Sequence, residues 1–488
     1  MVDQAVIIAA GKGSRLNGSG GGRPKPLVKV AGVELLKRTL LSAERAGIDR
    51  FVVVIGYRGD EIREAIASDP QIGVEIEWVE NPNWERGNGL SVLRARDHVD
   101  GPFVLMMADH LFDPQALTKL RHFSLGAEEA ALCVDRDLDA IPDMDDATKV
   151  WLDGEHIAEI GKEIGSYNAV DTGLFLCNGS LFRALDQSVK AGEESLSGGV
   201  RILAEEGNMR AVDIDGLFWQ DVDTPEALRC AEASLIANLG KPTDGLVARH
   251  LNRKVSTRIS RLLVRTPITP SQISIATMVL SFVATWFIAS GDYFRLALGG
   301  LLFQFASILD GCDGEVAKLK FLSSRSGEWL DTLADNVSYF VYFFGITYGM
   351  YRLTGEGHLL TIGWAALAMD VLSISLITLY LRHIGSGSIV SFNMAFSEEV
   401  PKERQGWFHR FCCSVKFGVR RDFFAAVYCV VALAGRLDVI YWTFLVGSVL
   451  FCSGVFAYAG YMLRMRGAWP EASPAEVEAE KLVSGKAD

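Results

Sequence analysis

The apolar residues of this 488-residue chain change their pattern once. As far as about residue 235 they come in short runs, AVIIAA at 5–10, FVVVIGY at 51–57 and FVLMMADH at 103–110, set between charged segments. Runs of that length, rich in valine and isoleucine, predict strands buried on both faces, the pattern of an α/β doubly wound sheet. From 272 to 463 the runs lengthen, to 272–290, 294–312, 333–351, 359–381, 422–437 and 439–463. A helix needs about 20 residues to cross the hydrocarbon core, so these predict an all-α unit of six transmembrane helices, with the fifth run the shortest. The expected organisation is a soluble domain at 1–235, a basic linker with an amphipathic helix at 236–271, a six-span domain at 272–466 and a polar C-terminal tail at 467–488.

The N-terminus, MVDQAVIIAAGKGSR, has no basic leader and its apolar run stops at a glycine loop, so it reads as a first strand and not as a signal peptide. That keeps the soluble domain in the cytosol and makes the first crossing outward. Inside loops then hold Lys318, Lys320 and Arg325 at 313–332 and seven Lys/Arg at 382–421, while the outer loops hold almost none beyond Arg352. This is the bias that the positive-inside rule requires, and the expected location is the inner cell membrane, multi-pass, with both termini cytosolic. In the linker, Val247, Leu251, Val255, Ile259, Leu262 and Leu263 fall near helical period among Arg249, Arg253, Lys254, Arg258, Arg261 and Arg265. They predict a basic helix lying on the inner membrane surface. Arg258, with Arg420 and Arg421 at the start of the fifth span, is also a candidate for binding a phosphate. A net charge of -12 argues against a nucleic-acid partner, and eight cysteines without CxxC or CxxH spacing argue against zinc or disulfides.

Between Asp310 and Asp335 the acids read D-x2-D-G-x2-A-K-x8-G-x3-D-x3-D. Asp310 and Asp313 are three apart and Asp331 and Asp335 four apart, so on helices each pair shares a face. One aspartate at the centre of a membrane helix costs roughly 2.5–3.5 kcal/mol, so four together need cations or water. Hard oxygen ligands in that number suit Mg2+, Mn2+ or Ca2+, and two cations can clamp a pyrophosphate. Gly314 and Gly327 let a ligand approach the backbone. This motif resembles that of the CDP-alcohol phosphotransferases, which move a phosphoalcohol from a CDP-alcohol to an acceptor hydroxyl and release CMP. The resemblance implies that Asp310, Asp313 and Asp331 hold two divalent cations, that Asp335 at their edge is the general base, and that Gly314, Lys318 and Gly327 meet the nucleotide. Lys318 stands where the pattern has arginine, which keeps the charge and loses the bidentate fork.

In the soluble half, the loop from Ala10 through Gly11, Lys12 and Gly13 follows the first strand, and Arg15 and Lys25 follow the loop. Its N–H groups can wrap a triphosphate whose charge Lys12, Arg15 and Lys25 balance. Asp109 lies at the C-terminal end of the strand read at 103–110, where doubly wound sheets place their ligands, and ERGNGLSVL at 85–93 predicts a helix start with Gly87, Asn88 and Gly89 near a base. With PKPL at 24–27, ADH at 108–110 and DVDTPEAL at 221–228, this half resembles the sugar-phosphate nucleotidyltransferases. The resemblance implies Mg2+ or Mn2+ on Asp109 and Asp223, with Lys25 and Arg15 stabilising charge as a substrate phosphate attacks the α-phosphorus of an NTP.

A domain that makes a CDP-alcohol beside one that consumes it makes CTP the expected nucleotide. Nearly the whole chain resembles the bifunctional inositol-1-phosphate cytidylyltransferase / di-myo-inositol phosphate phosphate synthases, through GNGLSVL, DATKVWLDG, IAEIGKEI, VDTGLF and QFASILDGCDGEVAK. That implies CDP-inositol formed from CTP and inositol-1-phosphate, then joined to a second inositol-1-phosphate with release of CMP, in a membrane-bound homodimer. Lys149, Lys162, Asp171 and Thr172 lie in segments that this resemblance places at the polyol phosphate. GSGGGR at 18–23 lengthens the nucleotide loop relative to the family. Another CDP-activated alcohol, or a lipid acceptor, satisfies the same phosphate chemistry. A transporter with a nucleotide-binding domain would instead place polar residues near mid-membrane in several spans, where here Asp370 stands out.

Overall fold

The computed structural model describes residues 1–17, 22–141, 144–240, 245, 247–384 and 421–466. They form two compact units, Met1–Leu235 and a second from Ile236 onward. Arg420, the GSGG of the lengthened loop, most of the segment 382–421 and the tail at 467–488 lie outside the described residues.

The first unit is built on a nine-stranded sheet: β1 (Gln4–Ala9), β2 (Arg50–Ile55), β3 (Glu75–Glu80), β4 (Phe103–Met107), β5 (Ala130–Asp135), β6 (Lys149–Asp153), β7 (His156–Gly161), β8 (Ala169–Cys177) and β9 (Met209–Asp213), in the order β3-β2-β1-β4-β8-β5-β9-β7-β6. Strands β1 to β4 pair in parallel, but β8 enters antiparallel to both β4 and β5, so the sheet is mixed rather than parallel throughout. Side chains alternate across it. Val6, Val52, Val54 and Leu105 pack into a core on one face, and Ala5, Ile7, Val53 and Met106 into a core on the other. Both faces are buried, as the continuous apolar runs require.

In the second unit the linker forms helix α1 (Arg253–Leu263), followed by α2 (Pro270–Ile288), α3 (Tyr293–Leu319), α4 (Arg325–Thr354), α5 (Gly357–Ile384), α6 (Arg421–Leu433) and α7 (Leu437–Arg466). Among the described residues four segments are long and apolar enough to cross a membrane: α2, α3, Gly357–Tyr380 of α5 and Leu437–Ala457 of α7. These are four of the expected six. Helix α4 opens with charged turns and dilutes its apolar half with tyrosine, glycine, Ser338 and Thr347; the 13 residues of α6 cover about 20 Å, short of the ~30 Å hydrocarbon core. Small residues draw the helices together. A Cβ on Gly299 would stand 2.6 Å from Ile288, and one on Gly300 2.6 Å from Ala432. Helix α1 also departs from a purely surface-lying helix. It buries a polar face, Asn252, Ser256 and Ser260, within this unit, while Leu251 and Leu262 stay exposed.

Candidate active sites

The first site forms where the parallel strands of the first unit end. Gly13 takes φ +64°, and a Cβ there would collide with Lys25, so only glycine lets the loop close over the lysine. Lys25, in a short turn at Lys25–Leu27, is buried; its Nζ donates to Asp109 Oδ2 at 2.5 Å and also to Asp223 Oδ1. Arg15 ties Asp223 to Asp146. Ala9, Gly11, Gly13, Arg15, Lys25, Asp109 and Asp223 share a cleft of ≈ 330 Å³. Just past β4, the ribbon His110–Phe112 pairs antiparallel with Trp219–Asp221 in the register Asp221↔His110. That register, with Val222 N–H donating to the Asp109 carbonyl at 3.1 Å, brings both ends of the chain segment to one point.

One ligand atom each from Asp109, His110 and Asp221 lies within 4.8 Å of the others. Burial alone would raise the Asp109 carboxyl, but the Lys25 charge and the His110 hydrogen bond at 2.8 Å hold it well below the usual carboxylate range. Burial works against charge on His110 as well, yet Asp221 and Asp109 push it up to about 9. Burial, with Asp109 adding to it, raises Asp221. Its buried Oδ1 has no hydrogen-bond partner, an orphan acceptor that fits a cation. His110 and Asp221 lie inside the ADH and DVDTPEAL motifs, whose spacing gives them no role; the ribbon register makes them neighbours of Asp109. Asp146 was likewise passed over, although its carboxylate accepts from both Arg15 and Lys162 and is held below the usual range, first by Lys162.

Other expected contacts of this half are placed less simply. Ala10 is buried, its carbonyl accepting from Tyr57 N–H at 3.0 Å, and Lys12 stands 5.7 Å over the Tyr57 ring. The Gly87–Gly89 turn is engaged elsewhere: Asn88 Oδ1 accepts from Leu196 N–H at 2.8 Å, and Gly89 N–H donates to the Glu194 carbonyl at 3.0 Å. These glycines are explained by backbone packing, since a Cβ on Gly89 would stand 2.7 Å from the Glu194 carbonyl. Thr172 is buried and donates to the Cys133 carbonyl at 2.8 Å, which commits its hydroxyl to the sheet. Lys149 donates to the Lys162 carbonyl at 3.0 Å. Asp171 accepts from Gly173 N–H at 2.7 Å, and burial pushes its carboxyl up to about 6.

The second site lies within the helical unit. Asp310, Asp331 and Asp335 bring one oxygen each within 4.8 Å of the others. Arg421 Nη1 donates to Asp310 Oδ1 at 2.5 Å and to Asp335 Oδ1, its guanidinium standing 5.5 Å over the Tyr339 ring. The Nε and Nη2 of Arg421 are buried without partners, which fits an anion. Asp313, expected to share the metal cluster, is outside this closest trio: Ser274 Oγ of α2 donates to its Oδ2 at 2.5 Å, and Gly314 N–H to its Oδ1 at 2.5 Å. Gly327 N–H donates to the N-cap Ser324 at 3.1 Å, and Lys318 Nζ to the Asn238 carbonyl at 3.0 Å. Arg258 is exposed on α1.

Two family models match the chain: the MobA-like NTP transferase domain over residues 5–196 and CDP-alcohol phosphatidyltransferase over 267–456. Two transferase families thus lie in series on one polypeptide. Curated relatives named "Bifunctional IPC transferase and DIPP synthase" are 36% identical in Rubrobacter xylanophilus, over 68% of this chain and 74% of that one, and 37% identical in Aquifex aeolicus, over 69% and 74%. The chain belongs to this bifunctional IPC transferase and DIPP synthase family. Among solved structures, the inositol-1-phosphate CTP transferase from T. maritima is 30% identical, covering 47% of this chain and 94% of that one with a TM-score of 0.44.

Proposed function

We propose that the chain makes CDP-inositol from CTP and inositol-1-phosphate in its first unit and transfers phosphoinositol to a second inositol-1-phosphate in its second, releasing CMP. The observation that carries this reading is the pair of acid sites, each built around a buried cation, on a member of a family named for both activities.

In the first unit Lys25 and Arg15 balance the charge that builds as the phosphate of inositol-1-phosphate attacks the α-phosphorus of CTP. The substrate supplies its own nucleophile. The backbone N–H groups of Gly11 to Gly13 receive the triphosphate, with Lys12 beside them. Asp109 and Asp223, joined by His110 and Asp221, fit Mg2+ or Mn2+, and Lys149, Lys162 and Asp171 face the polyol phosphate. In the second unit Asp310, Asp313 and Asp331 hold divalent cations, which supply charge neutralisation of the pyrophosphate when bound. Asp335 takes the proton of the acceptor hydroxyl, and Arg258, Arg420 and Arg421 gather the acceptor phosphate. We assign the first activity to 1–235 and the second to 272–466, with 236–271 as the linker between them. The α4 and α6 helices complete six crossings, with both termini in the cytosol of a homodimer.

The test uses full-length protein in detergent with Mg2+, CTP and inositol-1-phosphate, followed by mass spectrometry. Wild-type protein yields CDP-inositol, CMP and di-inositol phosphate phosphate. Asp335→Ala accumulates CDP-inositol and makes no joined product, even from supplied CDP-inositol; normal transfer by that variant would remove Asp335 from the mechanism. CDP-inositol without joined product in the wild type would redirect the acceptor to a lipid.

A further inference from the structure

Helix α1 is tied to α3 by groups that the reaction above does not use. Glu315 lies two residues beyond Asp313 and is 2% exposed. Its Oε1 accepts from Arg253 Nη1 and from Ser256 Oγ, both at 2.6 Å and both on α1. On the same face Asn252 Oδ1 accepts from Gln304 Nε2 of α3 at 3.0 Å. The two ends of the linker are held in the same way. Asp422, the neighbour of Arg421, accepts from Ala248 N–H at 3.0 Å, and Lys320 at the end of α3 donates to the carbonyls of Thr266 at 2.6 Å and Ile268 at 3.0 Å.

Burying a carboxylate is costly, and here Arg253 and Ser256 offset that cost on Oε1 alone while Oε2 is buried without a hydrogen bond; an apolar pair would join two helices at least as well. What polar pairing adds is a single rotational setting. The exposed Leu251 and Leu262 can slide in lipid, whereas Arg253 and Ser256 meet Glu315 at one angle of α1 about its axis. That angle also fixes where the exposed cations of the helix, Arg249, Lys254, Arg258 and Arg261, are aimed.

We propose that Glu315 is a positioning residue for phosphoalcohol transfer, locking α1 through Arg253 and Ser256 so that its cations gather the anionic acceptor. The inference rests on the reading of the second unit as the transferase.

The experiment uses the full chain in detergent with Mg2+, supplied CDP-inositol and varied inositol-1-phosphate. Glu315→Ala is compared with the double variant Arg253→Met/Glu315→Gln, which leaves no buried charge unpaired and so keeps the fold. The double variant is expected to raise the acceptor KM about tenfold or more with kcat within about twofold, and to speed tryptic cleavage after Lys254 and Arg258. Arg253→Lys, which keeps the charge beside Glu315, is expected to give a KM between those of the wild type and the double variant. A fall in kcat with KM unchanged would mean that the pair only supports the fold, and wild-type KM and cleavage would remove the clamp; either overturns the proposal. A wild-type protein that releases no CMP from CDP-inositol would instead refute the transferase reading itself.

Discussion

At the scale of single residues, the two sites depend on hydrogen bonds that no motif spells out. Ser274 is the clearest. It lies 39 positions from Asp313 in sequence yet donates to its carboxylate, an orientation that groups outside a ligand shell commonly supply. Ser274→Ala should therefore lower phosphoinositol transfer by about 10–100-fold while CDP-inositol synthesis continues, which separate assays of the two steps will read. Asp171 yields a prediction in pH. Burial pushes its carboxyl up to about 6, so ionising it costs the fold; that cost is absent below the ordinary carboxylate pKa near ~4 and complete above about 6. Asp171→Asn keeps the acceptor for Gly173 N–H and should raise the melting temperature near about pH 7.5 in chelator but not near about pH 4. An unchanged melting temperature at the higher pH would mean that the carboxylate is not penalised there.

At the scale of elements, the strands and most of the long helices were legible because burial leaves a direct trace in apolar runs. Strands β1, β2 and β4 fall on the runs AVIIAA, FVVVIGY and FVLMMADH, although the last two end at Ile55 and Met107, short of the ends of those runs. The antiparallel entry of β8 was not legible, since a strand buried on both faces reads the same in either direction. Four crossings meet a length and composition criterion, while α4 carries four charges in its opening turns and the described part of α6 is 13 residues long. Asp109 and Asp335 stood out because acids beside apolar runs are costly, whereas Asp221 and Ser274 are ordinary residues given meaning by register and packing. The glycine loop makes its own prediction. Gly13→Ala forces a positive φ on alanine and a clash with Lys25, so cytidylyl transfer should fall by about tenfold or more, with transfer from supplied CDP-inositol intact.

For the molecule as a whole, the side chains that define each site come from one unit: Arg15, Lys25, Asp109 and Asp223 from the first, and Asp310, Asp331, Asp335 and Arg421 from the second. Two self-contained sites predict complementation. A mixture of Asp109→Ala and Asp335→Ala proteins should make the joined product from CTP and inositol-1-phosphate, because CDP-inositol released by one can be used by the other. Failure of the mixture, with each variant active in its remaining step, would mean that the intermediate never leaves its own chain. Helix α4 bears on how the second step meets the bilayer. Its 30 residues extend about 45 Å, about 15 Å more than a hydrocarbon core, and its opening turns hold Arg325, Glu328, Asp331 and Asp335 while Arg352 is the one charge thereafter. The 16 residues between Asp335 and Arg352 extend only about 24 Å, so a bilayer around this helix would have to thin or admit water at the carboxylate end, and thicker lipids should slow the second step.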